Sequence, residues 1–116
     1  MTGQRPAGDR SNEKLVTIED MYVGRQLTHR VTVTQAMIDE YADITGDYNP
    51  VHVDREYAAK TRFGACIAHG MLTCSFVQVP LTAMVTPGGV STYYHFDLLG
   101  PVFDGDELEV VAECVE

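Results

Sequence analysis

The sequence predicts a single α+β domain, because three kinds of pattern follow one another along its 116 residues. An alternating apolar and polar segment comes first and is typical of a strand. A stretch with helical spacing and a longer apolar segment come next. After the Pro87-Gly88-Gly89 turn there are two further segments with strand character. This order indicates one mixed domain with a modest core.

The first regular element is predicted after a polar N-terminal segment. Residues 1–14 are rich in Gly, Pro, Arg and Ser, so we expect them to be disordered and the domain to span residues 15–116. Between Gln26 and Val33, apolar side chains and His29 alternate with polar ones. This period of two predicts a strand with one buried face, in which His29 is a wall residue rather than a ligand.

Two helices are predicted on either side of a short polar turn. Thr34 is suited to cap a helix that continues to Ile44, because apolar residues recur at helical spacing in this range. Asp54 is suited to cap a second, short helix from Arg55 to Lys60. The turn from Gly46 to His52 therefore lies between two helix ends.

A buried helix is predicted from Gly70 to Leu81. Its apolar residues lie on more than one face, which is typical of a helix surrounded by other elements. Pro80 should kink or shorten this helix, because proline lacks a backbone N–H donor. Two strands, Val90 to Leu99 and Leu108 to Val115, are expected to follow, with His95 in a structural role.

Composition argues against several classes of function. A net charge of -9 disfavours binding to nucleic acid or to an anionic membrane surface. The sequence has no apolar run long enough to span a bilayer and no secretory signal at its start, so we expect a cytosolic protein. Its three cysteines lack Cys-x-x-Cys spacing and are expected to be reduced. Cys66 lies three residues from His69, but buried structural thiols are much commoner than activated nucleophiles.

The turn between the two helices carries residues suited to acid/base chemistry. Asp47 can accept protons and His52 can exchange them near neutral pH, so the two side chains could act on one shared water. Pro50 fixes its own φ and keeps Asn49 out of the helical region, which makes this a defined turn. Ordinary turn chemistry also explains Gly, Asp, Asn and Pro here, so these residues alone leave both interpretations open.

A longer pattern decides between them. It comprises Tyr41-Ala42, Thr45-Gly46-Asp47-Tyr48-Asn49-Pro50-Val51-His52-Val53-Asp54, Ala58 and Ala68-His69-Gly70-Met71-Leu72. It resembles the hydratase 2 motif of MaoC-like dehydratases and (R)-specific enoyl-CoA hydratases. These enzymes have the hotdog fold, in which an antiparallel sheet wraps around a long central helix. The resemblance implies a lyase that interconverts an enoyl thioester and an (R)-3-hydroxyacyl thioester by syn addition or removal of water.

The resemblance also implies a role for individual residues. Asp47 and His52 would bind the catalytic water, Asn49 would help to hold the turn, and the Gly70 N–H would stabilise the oxyanion at the start of the buried helix. We expect Asp47 to accept the proton from water and His52 to give one to C2, although the sequence leaves that order open. The predicted substrate contacts are Asn49, Ala68, His69 and Arg62.

No cofactor or metal is predicted, since the four histidines show no ligand spacing. The expected substrate is a thioester of coenzyme A or acyl carrier protein, in fatty acid, polyketide or related metabolism. Both carriers are anionic, so the acidic chain should contact them through a local basic cluster, Arg55, Lys60 and Arg62. For any single member of that cluster, a solvated charge on a short helix is the simpler interpretation.

Two other functions are compatible with this fold. Some MaoC-like chains are noncatalytic subunits of heteromers, but those are expected to lack the Asp or the His. Thioesterases of the same fold typically place a carboxylate on the central helix, and Met71 to Leu81 contains none. A homodimer or higher oligomer is the minimum expectation, because hotdog domains bury their sheet edges by pairing.

The resemblance leaves two differences. The sequence ends at Glu116, where relatives are expected to continue with about two more strands. We therefore expect either a longer native protein or a partner that completes the sheet. Gly100 stands where relatives often carry a larger or basic residue, which puts one substrate contact in question.

Overall fold

A computed structural model describes residues 21–86 and 88–116 of the protein. Residues 1–14, predicted to be disordered, lie outside the described residues. The regular elements within the described part are β1 (Gln26–Thr32), α1 (Gln35–Thr45), α2 (Pro50–Val53), α3 (Arg55–Ala59), α4 (Gly70–Ser75), α5 (Gln78–Val85) and β2 (Glu107–Glu113). No helix in this part of the chain is long and apolar enough to cross a membrane.

Strands β1 and β2 form an antiparallel pair, with Gln26 opposite Glu113 and Thr32 opposite Glu107. Along both strands, exposed side chains alternate with half-buried ones, which confirms the predicted one-sided strand. His29 lies on the half-buried face, where the alternation placed it. Helix α5 contacts both strands, so the sheet packs on the helical layer through its inner face.

Helix α1 begins after the predicted cap, Thr34, and ends at Gly46, where the predicted turn starts. The Thr34 hydroxyl accepts a hydrogen bond from the Met37 N–H, and the helix ends at Gly46, whose φ of 77° is in the left-handed region. Glycine is suited to that conformation because it has no Cβ to clash. Asp54 caps α3 by accepting from the Tyr57 N–H at 3.0 Å. Asp47 therefore follows a helix end, as predicted.

The buried helix predicted as one element is divided into α4 and α5. The division falls at Phe76 and Val77, just before the turn of α5 that contains Pro80. Pro80 is the third residue of α5, where an amide donor has no partner within the helix in any case. A continuous helix would instead need a donor at residue 80 for the carbonyl of Phe76, so the break removes that conflict.

The prediction of a strand from Val90 to Leu99 is wrong. This segment has no regular secondary structure and no strand partner among the described residues, and Leu99 is 94% exposed. A strand needs a neighbouring backbone to pair with, and in the described part of the chain β1 and β2 pair with each other and not with this segment. The segment lies instead beside the helical layer, where Tyr94 donates to the Gln78 side chain at 3.4 Å. His95, predicted to be structural, is exposed on it, and its Nε2 lies 3.3 Å from the Asp97 carboxylate.

The core packs the end of β1 and helix α1 against α4 and the segment that precedes it. Its buried members are Val33, Ile38, Ala68 and Leu72. Ala68 also donates its N–H to the Val102 carbonyl at 2.8 Å, and Ile67 forms an isolated β-bridge with Phe103. Residues 67–70 are thereby fixed to the core, and they form one wall of the site described next.

Candidate active site

The turn from Gly46 to Asn49 is held by hydrogen bonds from its own polar side chains. The Asp47 N–H donates to the Thr45 hydroxyl and the Asn49 N–H donates to the Asp47 carboxylate, both at 3.2 Å. Asn49 caps α2, with its side-chain oxygen 3.4 Å from the Val51 N–H. The Tyr48 phenol donates to Asp43 at 2.8 Å, and this bond to a carboxylate raises the pKa of Tyr48. The Asp47 side chain remains exposed beside the turn.

His52 lies in α2 with its protonation pattern fixed by a backbone carbonyl. Its Nδ1 is 2.7 Å from the Ile67 oxygen. A carbonyl oxygen only accepts, so Nδ1 carries a proton and donates it. In the neutral ring this leaves the lone pair on Nε2. Nδ1 therefore orients the His52 side chain through its hydrogen bond, and Nε2 is available for proton transfer.

His69 is a buried histidine that contacts both predicted catalytic residues. Its Nε2 donates to the backbone carbonyl of Asp47 at 2.9 Å, and its ring centroid is 4.0 Å from that of His52. Tyr41 lies on it as well, with centroids 4.9 Å apart. The residue is 2% exposed and its Nδ1 has no hydrogen-bond partner in the structure. Sequence spacing gave no sign that the two histidines would stack.

Asp47, His52 and His69 form one cluster, hereafter the Asp-His-His cluster. Each offers an atom suited to binding a metal ion, and these atoms lie within 4.8 Å of one another. The sequence shows no ligand spacing among the histidines, but the fold brings two of them together with Asp47. Carboxylate and imidazole are ligands for several divalent metals, and their lone pairs accept hydrogen bonds from water equally well.

Two adjoining pockets open at the cluster. The smaller, of about 240 Å³, is lined by Tyr41, Thr45, Asp47, His52, His69, Gly70, Met71 and Leu98. The larger, of about 590 Å³, is lined by His52, Arg62, Phe63, Ile67, Ala68, Gly70, Thr73 and residues 98–102. His52, Gly70 and Leu98 belong to both linings. A ligand in the larger, mostly apolar pocket can thus present an atom to the polar cluster in the smaller one.

Gly70 begins α4 at the junction of the two pockets. A Cβ at this position would lie 2.5 Å from the Leu98 Cδ1 atom, so only glycine allows this close approach without a shift of Leu98. As the first residue of a helix, Gly70 has an N–H with no acceptor within the helix. Because α4 is shorter than predicted, the helix dipole adds little here, and the N–H itself is the main electropositive group.

Comparison with known proteins identifies the family. The sequence profile described as "MaoC like domain" matches residues 20–116. The chain belongs to the MaoC-like dehydratase family. It is 34% identical over 104 residues to a 3-hydroxybutyryl-CoA dehydratase of Methylorubrum extorquens, covering 89% of this chain and 66% of that protein. It is also 34% identical over 89 residues to an (R)-specific enoyl-CoA hydratase of Rhodospirillum rubrum, covering 76% and 62%.

Solved structures agree with this assignment. The R-hydratase PhaJ1 from Pseudomonas aeruginosa superposes with a TM-score of 0.78 at 31% identity, covering 84% of this chain and 64% of that one. The (R)-hydratase from A. caviae gives a TM-score of 0.72 at 30% identity, covering 84% and 75%. These likenesses confirm the predicted hotdog fold. The chain spans about two thirds of the length of the curated relatives with which it was compared.

The other residues predicted for this MaoC-like site have different surroundings. Ala68 is buried and lines the larger pocket, and Arg62 lines it with an exposed guanidinium 4.8 Å from the Phe63 ring. Asn49 is exposed and acts as the α2 cap, outside the linings of both pockets. Gly100 lines the larger pocket and has open space where a side chain would begin.

Cys66 is separate from this chemistry. Its side chain lines a third pocket, with Arg55 and Phe103 among its neighbours. Burial raises the pKa of the Cys66 thiol, and nearby Arg55 offsets part of that rise. A thiol with a raised pKa is protonated near neutral pH and is a poor nucleophile. The structure thus supports the interpretation of Cys66 as a structural cysteine.

Sequence reasoning missed two contributors to the site. One is the Ile67 carbonyl, which orients His52, and the other is Leu98, which covers Gly70. A backbone carbonyl carries no sequence signal, and Leu98 lies in the segment that was misassigned as a strand. Only the resemblance to the family, through its His-Gly pair, pointed to the neighbourhood of residue 69.

Proposed function

We propose that the protein is a hydro-lyase that catalyses reversible syn hydration of an enoyl thioester to an (R)-3-hydroxyacyl thioester. One observation carries this proposal: the Asp47 carboxylate, the His52 imidazole and the start of α4 at Gly70 all line one small pocket. Enoyl hydration needs a base for water, a proton donor for C2 and a donor to the thioester oxygen. The names of the relatives, an (R)-specific enoyl-CoA hydratase and a 3-hydroxybutyryl-CoA dehydratase, support the same reaction.

In the hydration direction, a water bound between Asp47 and His52 attacks C3 as Asp47 accepts its proton. The C3–O bond forms, the C2–C3 double bond becomes a single bond, and Nε2 of protonated His52 delivers a proton to C2. Because Nδ1 is engaged with Ile67, Nε2 is the nitrogen available for this transfer. Each such proton transfer typically accelerates a reaction by about 10²–10⁴-fold. Exchange of the proton from Asp47 to His52 through solvent then restores the starting state.

The Gly70 N–H is proposed to bind the thioester oxygen as negative charge develops on it. A preorganised backbone donor of this kind contributes about 3 kcal/mol to transition-state stabilisation. The absence of a Cβ at residue 70 allows the thioester to approach the amide closely. Since Gly70 lines both pockets, the acyl group can lie in the larger one while the reacting carbons face Asp47 and His52.

The proposed substrate is a thioester of coenzyme A or acyl carrier protein. Arg62 at the larger pocket is an exposed cation suited to an anionic carrier, which the net charge of -9 would otherwise repel. We further propose a homodimer or higher oligomer and a cytoplasmic location. The free cysteines Cys66, Cys74 and Cys114 are consistent with a reducing compartment.

A noncatalytic subunit of a heteromer is the second candidate function. The presence of both Asp47 and His52 disfavours it, because such a subunit has no need of an intact pair. The thioesterase alternative has less support, since residues 70–85 contain no Asp or Glu.

The test is turnover of crotonyl-CoA and longer enoyl thioesters by the purified chain, with product chirality determined. We expect the (R)-product, and a loss of about 10²–10⁴-fold in turnover for Asp47→Asn. Glu40→Gln is the control, because Glu40 is an exposed carboxylate of α1 outside the linings of both pockets. Turnover by Asp47→Asn equal to that of the control would refute the mechanism. Inactivity of the wild-type chain on every thioester would favour the noncatalytic subunit.

A further inference from the structure

The side chain of His69 contacts the proposed catalytic residues rather than the helix that it precedes. It occupies the cap position of α4, yet its side chain makes no capping hydrogen bond. Its Nε2 instead donates to the Asp47 carbonyl, 22 residues away in sequence. At 2% exposure it is the buried polar side chain of the described part of the chain, and such burial is costly unless a specific interaction compensates for it.

The hydrogen bond from His69 fixes the turn of residues 46–49, which otherwise bonds only to neighbouring parts of the sequence. Among the described residues, the other hydrogen bonds of residues 46–49 extend no further than α1 and α2. All four of these residues are exposed, so packing does little to fix them. The His69 side chain therefore ties the Asp47 backbone to residues 67–70, which belong to the core.

The same ring also fixes the second catalytic side chain. It lies against His52 with a centroid distance of 4.0 Å and an interplanar angle of 31°, while Tyr41 contacts it at 4.9 Å. The His52 Nδ1 is bound at the same time by Ile67, two residues before His69. One short segment thus sets both the plane and the hydrogen bond of His52, and the position of Asp47.

We propose that His69 is a positioning residue that holds Asp47 and His52 at the separation needed to share one water. This inference rests on the proposed function, because it assigns His69 a task in that reaction. The bond to the Asp47 carbonyl places a proton on Nε2, so in the neutral ring Nδ1 is the bare nitrogen, and it is Nδ1 that has no partner in the structure. The residue does not itself exchange a proton with the substrate. Its contribution is geometric, and a misplacement of about 1 Å can cost about 10²-fold in rate.

Two substitutions separate positioning from simple filling of space. In His69→Gln the amide nitrogen can occupy the Nε2 position and donate to Asp47, whereas in His69→Asn it lies near Nδ1 and falls short. We expect the Asn variant to lose about 10–100-fold in kcat with KM changed less than about twofold, and the Gln variant to recover most of that loss. Met84→Ala is the control for lost packing, because Met84 is buried on α5 and lies outside the linings of both pockets.

A second readout does not depend on turnover. Backbone order parameters of Asp47 and Tyr48, measured by ¹⁵N relaxation, should fall in the Asn variant towards about 0.6 and stay near the wild-type value in the Gln variant. Equal kcat and equal order in the Gln and Asn variants would overturn the inference, as would a kcat loss that only follows thermal stability as in Met84→Ala. If the wild-type chain has no hydratase activity, the proposed function fails, and the order parameters still decide whether His69 fixes the turn.

Discussion

Replacement of His52 by asparagine should separate the two jobs of its imidazole ring. The Asn amide nitrogen takes the place of Nδ1, which lies 2.7 Å from the Ile67 carbonyl oxygen, so that hydrogen bond is retained. Nothing replaces Nε2, the nitrogen proposed to protonate C2. We therefore expect turnover to fall by about 10²–10⁴-fold, which corresponds to about 2.7–5.4 kcal/mol of transition-state stabilisation. The free energy of unfolding should change by less than about 1 kcal/mol.

Glutamine at the same position should give the opposite structural result. Its amide lies near Nε2 and no longer reaches Ile67, so the variant loses a hydrogen bond worth about 1 kcal/mol and melts about 4–8 °C lower. Its turnover should be as low as that of His52→Asn, because an amide cannot carry the proton. Thermal melting and crotonyl-CoA hydration measure the two effects separately.

The control for both variants is His29→Asn, since His29 is a half-buried histidine of β1 outside the linings of the two active-site pockets. It should keep turnover within about twofold of wild type. Retention of more than a tenth of wild-type turnover by His52→Asn would refute Nε2 as the proton carrier. A His52→Asn variant as unstable as His52→Gln would refute the assigned Nδ1 bond.

Three further predictions follow from the site and its surroundings. Gly70→Ala should lower kcat/KM by less than the roughly 10²–10³-fold cost of losing an oxyanion donor, because the N–H remains and the added methyl group only obstructs the approach of the thioester to it. Steady-state kinetics measures this effect, and an unchanged kcat/KM would contradict the role assigned to Gly70. Iodoacetamide at neutral pH should modify Cys66 more slowly than Cys114, because burial raises the pKa of the Cys66 thiol and less of it is present as the reactive thiolate. Peptide mass spectrometry over time distinguishes the two cysteines, and faster labelling of Cys66 would contradict the prediction. Dialysis against EDTA should leave turnover unchanged, since the proposed mechanism binds water, not a metal ion, between Asp47 and His52. Activity that is lost and then restored by a divalent cation would assign the Asp-His-His cluster to a metal instead.

Local chemistry explains which parts of the fold were predictable. The alternation in β1 and the caps at Thr34 and Asp54 depend on residues within a few positions of each other, and the structure has them as expected. The break before α5 is local as well, because it follows from Pro80, whereas the absence of a strand from Val90 to Leu99 depends on neighbours far away in sequence. A run rich in aromatic residues predicts strand character, but whether a strand forms depends on a neighbouring backbone with which it can pair.

The candidate site also has residues that could be predicted from the sequence and contacts that could not. Asp47 and His52 were identified because they lie five residues apart on either side of Pro50, and because the family motif covers them. The turn predicted to carry both ends at Asn49, and His52 lies in α2. The stacking of His52 on His69 was not predictable, since it results from the packing of residues 67–70 onto Val33 and Val102. Residue spacing therefore gave no indication of a three-residue cluster that the tertiary structure forms.

The close approach of Gly70 and Leu98 links two positions that would otherwise be expected to vary independently. A Cβ at residue 70 would lie 2.5 Å from Cδ1 of Leu98, so a larger residue at one position is compatible only with a smaller or displaced one at the other. Leu98 is 62% exposed and the atom in contact is the end of its side chain, so we expect a moderate coupling in which Leu98→Ala relieves part of the effect of Gly70→Ala. Directed evolution aimed at other acyl groups should therefore randomise both codons together, since single-site libraries would not reach the productive combinations.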